Sequence, residues 1–150
     1  MIVTATGEFS DFQDATRRLK ELSRETEMFD DGVGHSVQEY ANYLAAMSYE
    51  RRNKQNPYYN NFIVAGFEDG KAHLSSIDLH GTHIHKDYVT AGFAKYYGLA
   101  LIANQWRPDL PLEDCKRIIH RCFTILYERD CHSVDEVQFA LVTGAGIEVL

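Results

Sequence analysis

Cysteine is scarce in this 150-residue chain, positive charge is outnumbered, and long apolar runs are missing. Each shortage removes a class of protein. Cys115, Cys122 and Cys131 are odd in number, and the first two stand seven apart, on one face of a helix rather than in a disulfide framework. No Cys-x-x-Cys pair offers a metal its usual thiolate spacing, so all three read as small buried hydrophobes in a reducing compartment. Lys and Arg number 15 against 22 Asp and Glu, a formal net charge of -7. The broad positive field that holds a phosphate backbone is absent, and nucleic acid is not an expected partner. No apolar run approaches the roughly 20 residues that cross a bilayer, and the start MIVTATGEF has neither a basic region nor an apolar signal core, so the expected setting is intracellular and off the membrane. Repeats, low-complexity tracts and linkers are also missing. With 45% hydrophobic and 25% charged residues the chain has the composition of a folded domain, and its length suits one domain spanning residues 1–150.

What is present is a clear order of elements. Ile2 to Thr6 is short and β-branched, a strand entering a turn at Gly7. Ser10 with Gln13 has capping-box spacing, and Phe12, Ala15, Leu19 and Leu22 predict an amphipathic helix from about Asp11 to Glu27. Ser36 with Glu39 repeats the capping signature before a stripe of Val37, Tyr40, Leu44 and Met47, and Pro57 is expected to stop this second helix. Its terminal Arg51, Arg52 and Lys54 read as a solvated helix end rather than an anion site. Phe62 to Phe67, the turn Glu68-Asp69-Gly70 and the alternating Ala72 to Asp78 predict an antiparallel hairpin with one face on helices. A short extended piece follows through His85. Ala91-Gly92 then opens a helix with Tyr96, Leu99 and Ala103 on one side, closed by Trp106 and the prolines Pro108 and Pro111. Leu112, Cys115, Ile119, Cys122 and Leu126 mark a fourth helix, and Val137 to Thr143 with Ile147 to Leu150 a terminal hairpin around Gly144-Ala145-Gly146. Grouped helices and grouped strands argue for antiparallel sheets covered by helix pairs, an α+β fold.

Four segments carry a resemblance. SYERRNKQNPYYNNFIVAGFEDG, a helix leading through an Asn-Pro turn into an apolar strand and a Gly turn, resembles the middle of proteasome beta-type subunits, of the N-terminal nucleophile hydrolase family. GEFSDFQ is similar to the family's passage from strand to first helix. IDLHGTHIHKDYVTAG is similar to its strands leading to a Gly-rich helix start, and LYERDCHSVDEVQFALVT to its end, where Arg-Asp-x-x-Ser precedes a strand. Together these cover nearly everything from Val3 to Val149. The resemblance implies a four-layer αββα sandwich whose N-terminal strands are missing here, since Met1 falls about where the family's fourth strand is expected. It also implies an unpaired sheet edge and uncovered apolar surface unless partners supply the cover.

Active members expose an N-terminal Thr tuned by an Asp and a Lys on the following strands, and none of that is found in this sequence. Asp130 and Ser133 match the Asp and Ser of Arg-Asp-x-x-Ser that support that Thr, but the usual Gly-Gly is Val134-Asp135. Phe93 falls where active subunits place a Ser within Gly-Ser-Gly, and a phenyl ring donates no hydrogen bond to an oxyanion or amine. The resemblance is nearest to a member that does not cut peptides. It implies a non-catalytic beta-ring subunit with no cofactor, contacting other alpha and beta subunits in a hetero-oligomeric ring, working in cytoplasm and nucleus. Tyr97 and Trp106 are the expected contact residues, since the family uses the corresponding helices where its beta rings meet, and amphipathic rings suit interfaces. Helix spacing also allows Tyr40 and Tyr96 to fill the core instead.

Two enzyme readings compete. His80, His83 and His85 lie within HGTHIH, and alternation puts His83 and His85 on one side of a strand, as two metal ligands would be. A third ligand at a recognisable spacing is not evident, and a polar loop or sheet edge is the preferred reading of these residues. Asp130, His132 and Ser133 contain the residue types of a hydrolase triad. Neighbours in one turn point apart, however, and no Gly-x-Ser-x-Gly elbow is present.

Overall fold

A computed structural model describes residues 1–29, 32–131 and 136–150. Its elements, in chain order, are β1 (Ile2–Gly7), α1 (Phe9–Phe29), α2 (Val37–Asn53), β2 (Asn60–Glu68), β3 (Lys71–Ile77) and β4 (His83–His85). They continue with α3 (Ala94–Tyr97), α4 (Leu99–Gln105), α5 (Leu112–Arg129), β5 (Ala140–Thr143) and β6 (Gly146–Val149). Strands β1 to β4 form one antiparallel sheet in that spatial order, and β5 and β6 form a separate hairpin that packs against β2. The molecule is thus mixed, with antiparallel sheets and helix pairs, as the grouped pattern predicts.

Alternation in β2 decides where the core sits. Asn60, Phe62, Val64 and Gly66 are buried while their sequence neighbours are not, because the buried set faces α1 and α2. Register places Val3 and Ala5 of β1 and Ser75 and Ile77 of β3 on that same face. There they meet Ala15 and Leu19 of α1 and Ala41, Leu44, Ala45 and Met47 of α2. Gly66 lets α2 approach, since a Cβ there would lie 2.4 Å from Val37 Cγ2. The opposite face carries Thr6, Ile63 and Phe67; the Val89–Gly92 crossing reaches Thr6 there, and Gly144 of the hairpin turn lies against the Phe67 ring.

Helix α2 begins as predicted. Ser36 Oγ accepts from Glu39 N at 3.1 Å and Ser36 N donates to Glu39 Oε2 at 2.7 Å, a complete capping box. Its end differs from expectation, because Asn53 closes the helix before Pro57 is reached. Gln55 N donates to Arg52 O and Asn56 N to Arg51 O, with Gln55 at φ 57°, so a Schellman closure stops the helix. The two-residue turn between β2 and β3 is Asp69 (φ 51°) and Gly70 (φ 75°), the left-handed pair a tight hairpin requires.

Four other expectations are corrected. Ser10 does not cap α1; the helix starts at Phe9, Phe12 N donates to Glu8 O, and the Ser10 hydroxyl donates to Glu8 Oε1. The predicted third helix is two short helices broken at Gly98, which is buried against Cys122; a Cβ there would stand 3.2 Å from Ala94 O and 3.4 Å from Cys122 Cβ. In α5 Cys122 and Leu126 are buried as the stripe predicts, but Ile118 takes the buried place expected of Ile119, which faces out, and Leu112 is exposed. Cys131 is exposed and Cys115 half-buried, so only Cys122 is a buried hydrophobe; all three are free thiols.

Candidate functional site

The block around Arg51 to Asn60 is where three elements are locked together. Tyr58 is fully buried, packs edge-on to Phe62 with ring centres 6.3 Å apart, and donates its hydroxyl to Asp14 Oδ2 at 2.6 Å. That hydrogen bond, helped by Arg17 and Arg18, outweighs burial and holds the Asp14 carboxyl at about 2. Burial first, and then the Asp14 carboxylate, push the Tyr58 phenol up to about 12, so it stays a donor. The Arg51 guanidinium covers the Tyr58 ring at 4.3 Å and its Nε donates to Asn56 O at 3.1 Å. Asp11 Oδ2 accepts from Tyr59 N at 3.0 Å, and the Asn60 amide donates to Glu8 O at 2.8 Å. The start of α1, the end of α2 and the start of β2 are therefore tied by one polar network. Sequence reading assigned Arg51 to a solvated helix end; the structure corrects this, since its side chain packs on Tyr58 and stands 3.8 Å from Asp14. Only Arg52 and Lys54 fit the original assignment, Lys54 pairing with Glu50 at 2.5 Å. A signal was available in Asp11 and Asp14, three apart on one helix face, yet nothing local says which distant cation they meet.

The Gly92-Phe93-Ala94 segment makes a turn into α3, with Gly92 at φ 61° and the Phe93 carbonyl accepting from Tyr96 N and Tyr97 N. The Phe93 side chain is 57% exposed. It borders a cleft of about 460 Å³ between the second face of the sheet and the Tyr88–Leu99 stretch, also lined by Ile63, Ser76, Ile84 and Thr90. Asp78 is the carboxylate in that lining. Burial pushes it up, but hydrogen bonds from Thr82 and His80 outweigh burial and leave it below its ordinary value, and its Oδ1 accepts from both backbone N–H groups at 2.9 Å. Asp78 thus closes a turn.

Asp130 ends α5, its N–H donating to Leu126 O at 2.7 Å. Ser133 and His132 lie outside the described residues, so the Arg-Asp-x-x-Ser pair and the triad reading are placed here only through Asp130. The three imidazoles of HGTHIH do not converge. His80 is exposed in the Asp78 turn, while His83 and His85 share the α2 face of β4 with rings 4.5 Å apart. His83 Nδ1 donates to Asn42 Oδ1 at 3.0 Å, its Nε2 is buried without a partner, and burial followed by the nearby His85 lowers its pKa. Among the described residues no group of three His, Cys, Asp or Glu side chains could hold a metal, so the metal-enzyme alternative built on His80, His83 and His85 is not favoured.

Tyr97 is 40% exposed on α3, and Trp106 is half-buried at the end of α4, its ring 5.9 Å from that of Tyr88. Tyr96 is 78% exposed, so it does not fill the core; the break at Gly98 turns α3 away from the stripe that Leu99 continues. Tyr40 does pack on the core. No helix among the described residues is long and apolar enough to cross a membrane.

The four-stranded antiparallel sheet, with α1 and α2 on one side and a turn carrying Phe93 on the other, lies within a stretch, residues 1–142, that the family model for proteasome subunits matches. The chain belongs to the proteasome subunit family, with the N-terminal nucleophile hydrolase type of fold. Among individual relatives it is similar to proteasome subunit beta type-4 of Arabidopsis thaliana, at 34% identity over 99% of this chain and 60% of that protein. The subunit of the same name from Dictyostelium discoideum is 37% identical over 99% of this chain and 58% of its own length. That from Xenopus laevis is 27% identical over 99% and 62%. The chain spans about 60% of the length of the curated relatives it matches.

Proposed function

We propose that this chain is a non-catalytic, structural beta-ring subunit of the 20S proteasome core, of the beta type-4 kind. Its role is geometric: a ring of unlike subunits closes only when every position is filled, so a member without a nucleophile still encloses the chamber in which ubiquitin-tagged proteins are degraded. Its partners are other alpha and beta subunits, residues 1–150 belong to one beta-type domain, and it works in cytoplasm and nucleus.

The observation that carries this reading is Phe93. In the turn where the resemblance puts a hydroxyl beside the terminal Thr of active members, this chain presents a ring that is 57% exposed and has no hydrogen bond to give. Similarity over 99% of the chain to subunits named beta type-4 supports the same conclusion. Asp130 serves as a helix-end residue at the close of α5, Ser133 is its partner in the sequence motif alone, and Tyr97 and Trp106 present rings to neighbouring subunits.

Two measurements test the proposal together. Tagged chain in cell extract is expected to migrate with a very large particle, and the purified chain to leave fluorogenic peptides uncleaved. Turnover that persists in homogeneous protein, or migration of the wild-type chain solely as a small species, would overturn it.

A further inference from the structure

A cleft of about 480 Å³ lies between the end of α4 and one face of α5, away from Phe93 and from the Tyr58 network. Arg107, Arg117 and Arg121 all line it, beside the amides of Asn104 and Gln105. Asp114, Arg117, Ile118 and Arg121 fall at helical positions i, i+3, i+4 and i+7, so a single face of α5 presents them. Arg117 is paired with Asp114, whereas no ion pair is formed by Arg107 or Arg121 among the described residues. The apolar part of the lining is buried Ile118 and half-buried Leu110.

This is an exception to the charge of the whole chain. Acidic residues outnumber basic ones 22 to 15, yet here three guanidinium groups share one concavity with a single carboxylate. Guanidinium is weakly hydrated and offers a planar fork that takes a carboxylate through two parallel hydrogen bonds, so clustered arginines suit recognition of acidic groups rather than solvation alone. An extended nucleic acid would meet a chain of formal net charge -7 beyond the cleft, whereas a short polypeptide segment can put its carboxylates on the arginines and an apolar residue over Ile118.

We propose that the α4–α5 cleft docks a carboxylate-bearing segment of an adjoining protein subunit, with Arg107 and Arg121 as the residues that recognise it. The inference rests on the assembly role proposed above and names the chemistry of one contact within it. Trp106 and Leu112 flank the arginines in sequence, and Leu112 is exposed, so the recognised segment carries apolar side chains as well as acids.

The test uses the full chain, tagged, in extract of its own cells. Both arginines are exposed, so Arg107→Glu with Arg121→Glu is expected to leave the far-ultraviolet circular dichroism melt of the purified chain unchanged. The fraction of chain found in the large particle is expected to fall about tenfold or more, with like charges now facing each other. Arg121→Lys, which keeps the charge, retains incorporation and supplies an amine that a zero-length carbodiimide joins to a carboxylate. Mass spectrometry is then expected to place that cross-link on an Asp or Glu of a different chain. Full incorporation of the doubly reversed variant, a cross-link confined to Glu113 or Asp114 of the same chain, or salt-released nucleic acid bound at this cleft would each overturn the inference while leaving the ring-subunit reading intact. Absence of the wild-type chain from the large particle would instead overturn that reading.

Discussion

Replacing Tyr58 by Phe isolates the bond on which the polar network depends. The substitution keeps the buried ring, its edge-on contact with Phe62 and its place beneath Arg51, and removes only the hydroxyl that donates to Asp14 at 2.6 Å. A hydrogen bond to an ionised partner is worth about 1.5–3 kcal/mol. Asp14 keeps Arg17 and Arg18, and its side chain is 28% exposed, so water can replace part of the loss. A carboxyl held at about 2 instead of 3.8 corresponds by linkage to at most roughly 2.4 kcal/mol, and screening of a partly exposed group brings this to about 1–2 kcal/mol. For a chain of this length the melting temperature should drop by roughly 3–6 °C. The sign with pH follows from the depressed carboxyl: its contribution is present above its ordinary value of 3.8 and is lost as pH falls through about 2. Urea denaturation followed by circular dichroism should therefore show a gap between wild type and variant that is full near neutrality and closes on acidification through that window. An unchanged midpoint near neutrality, or a gap that widens in acid, would refute the reasoning.

Gln55→Gly is expected to stabilise the chain by about 1 kcal/mol, because Gln55 pays the side-chain cost of a left-handed φ of 57° at the Schellman position; thermal melts read the gain. Gly66→Ala is expected to cost about 1–3 kcal/mol, since the new methyl would lie 2.4 Å from Val37 Cγ2, and Val37→Ala in the same chain should recover most of the loss in urea titrations. His83→Gln preserves a polar partner for Asn42 but cannot titrate. Because burial lowers the His83 pKa, wild-type stability should fall as pH drops below 6.5 and on through the lowered folded-state pKa, and the variant should lose that part of the slope in pH-dependent denaturation.

Local chemistry alone fixed the extents of β2 and β3 to within two residues, the turn between them, the capping box of α2 and the existence of α1 and α5. Periodicity, caps and paired left-handed turn residues act over a few positions, and such signals survive in a linear chain. The motif around RRNKQNPYYNN was likewise legible as a pattern, a helix end leading through a turn into β2.

Which distant groups those residues meet was decided only on folding. Arg51 reads as one more cation at a helix end until α1 brings Asp14 and β2 brings Tyr58 beside it. Tyr96 fits an apolar stripe until close packing of Gly98 on Cys122 breaks the helix and turns that ring outward. His80, His83 and His85 are near in sequence, yet His80 is held in the Asp78 turn while the pleat of β4 puts only His83 and His85 together on its α2 face. The three arginines of the α4–α5 cleft are spread over fifteen positions, counted from Arg107 to Arg121, and share one concavity because a connection and a helix bring them together. Local rules set where the backbone turns, but convergence of side chains depends on how whole elements pack, and that is a property of the tertiary structure.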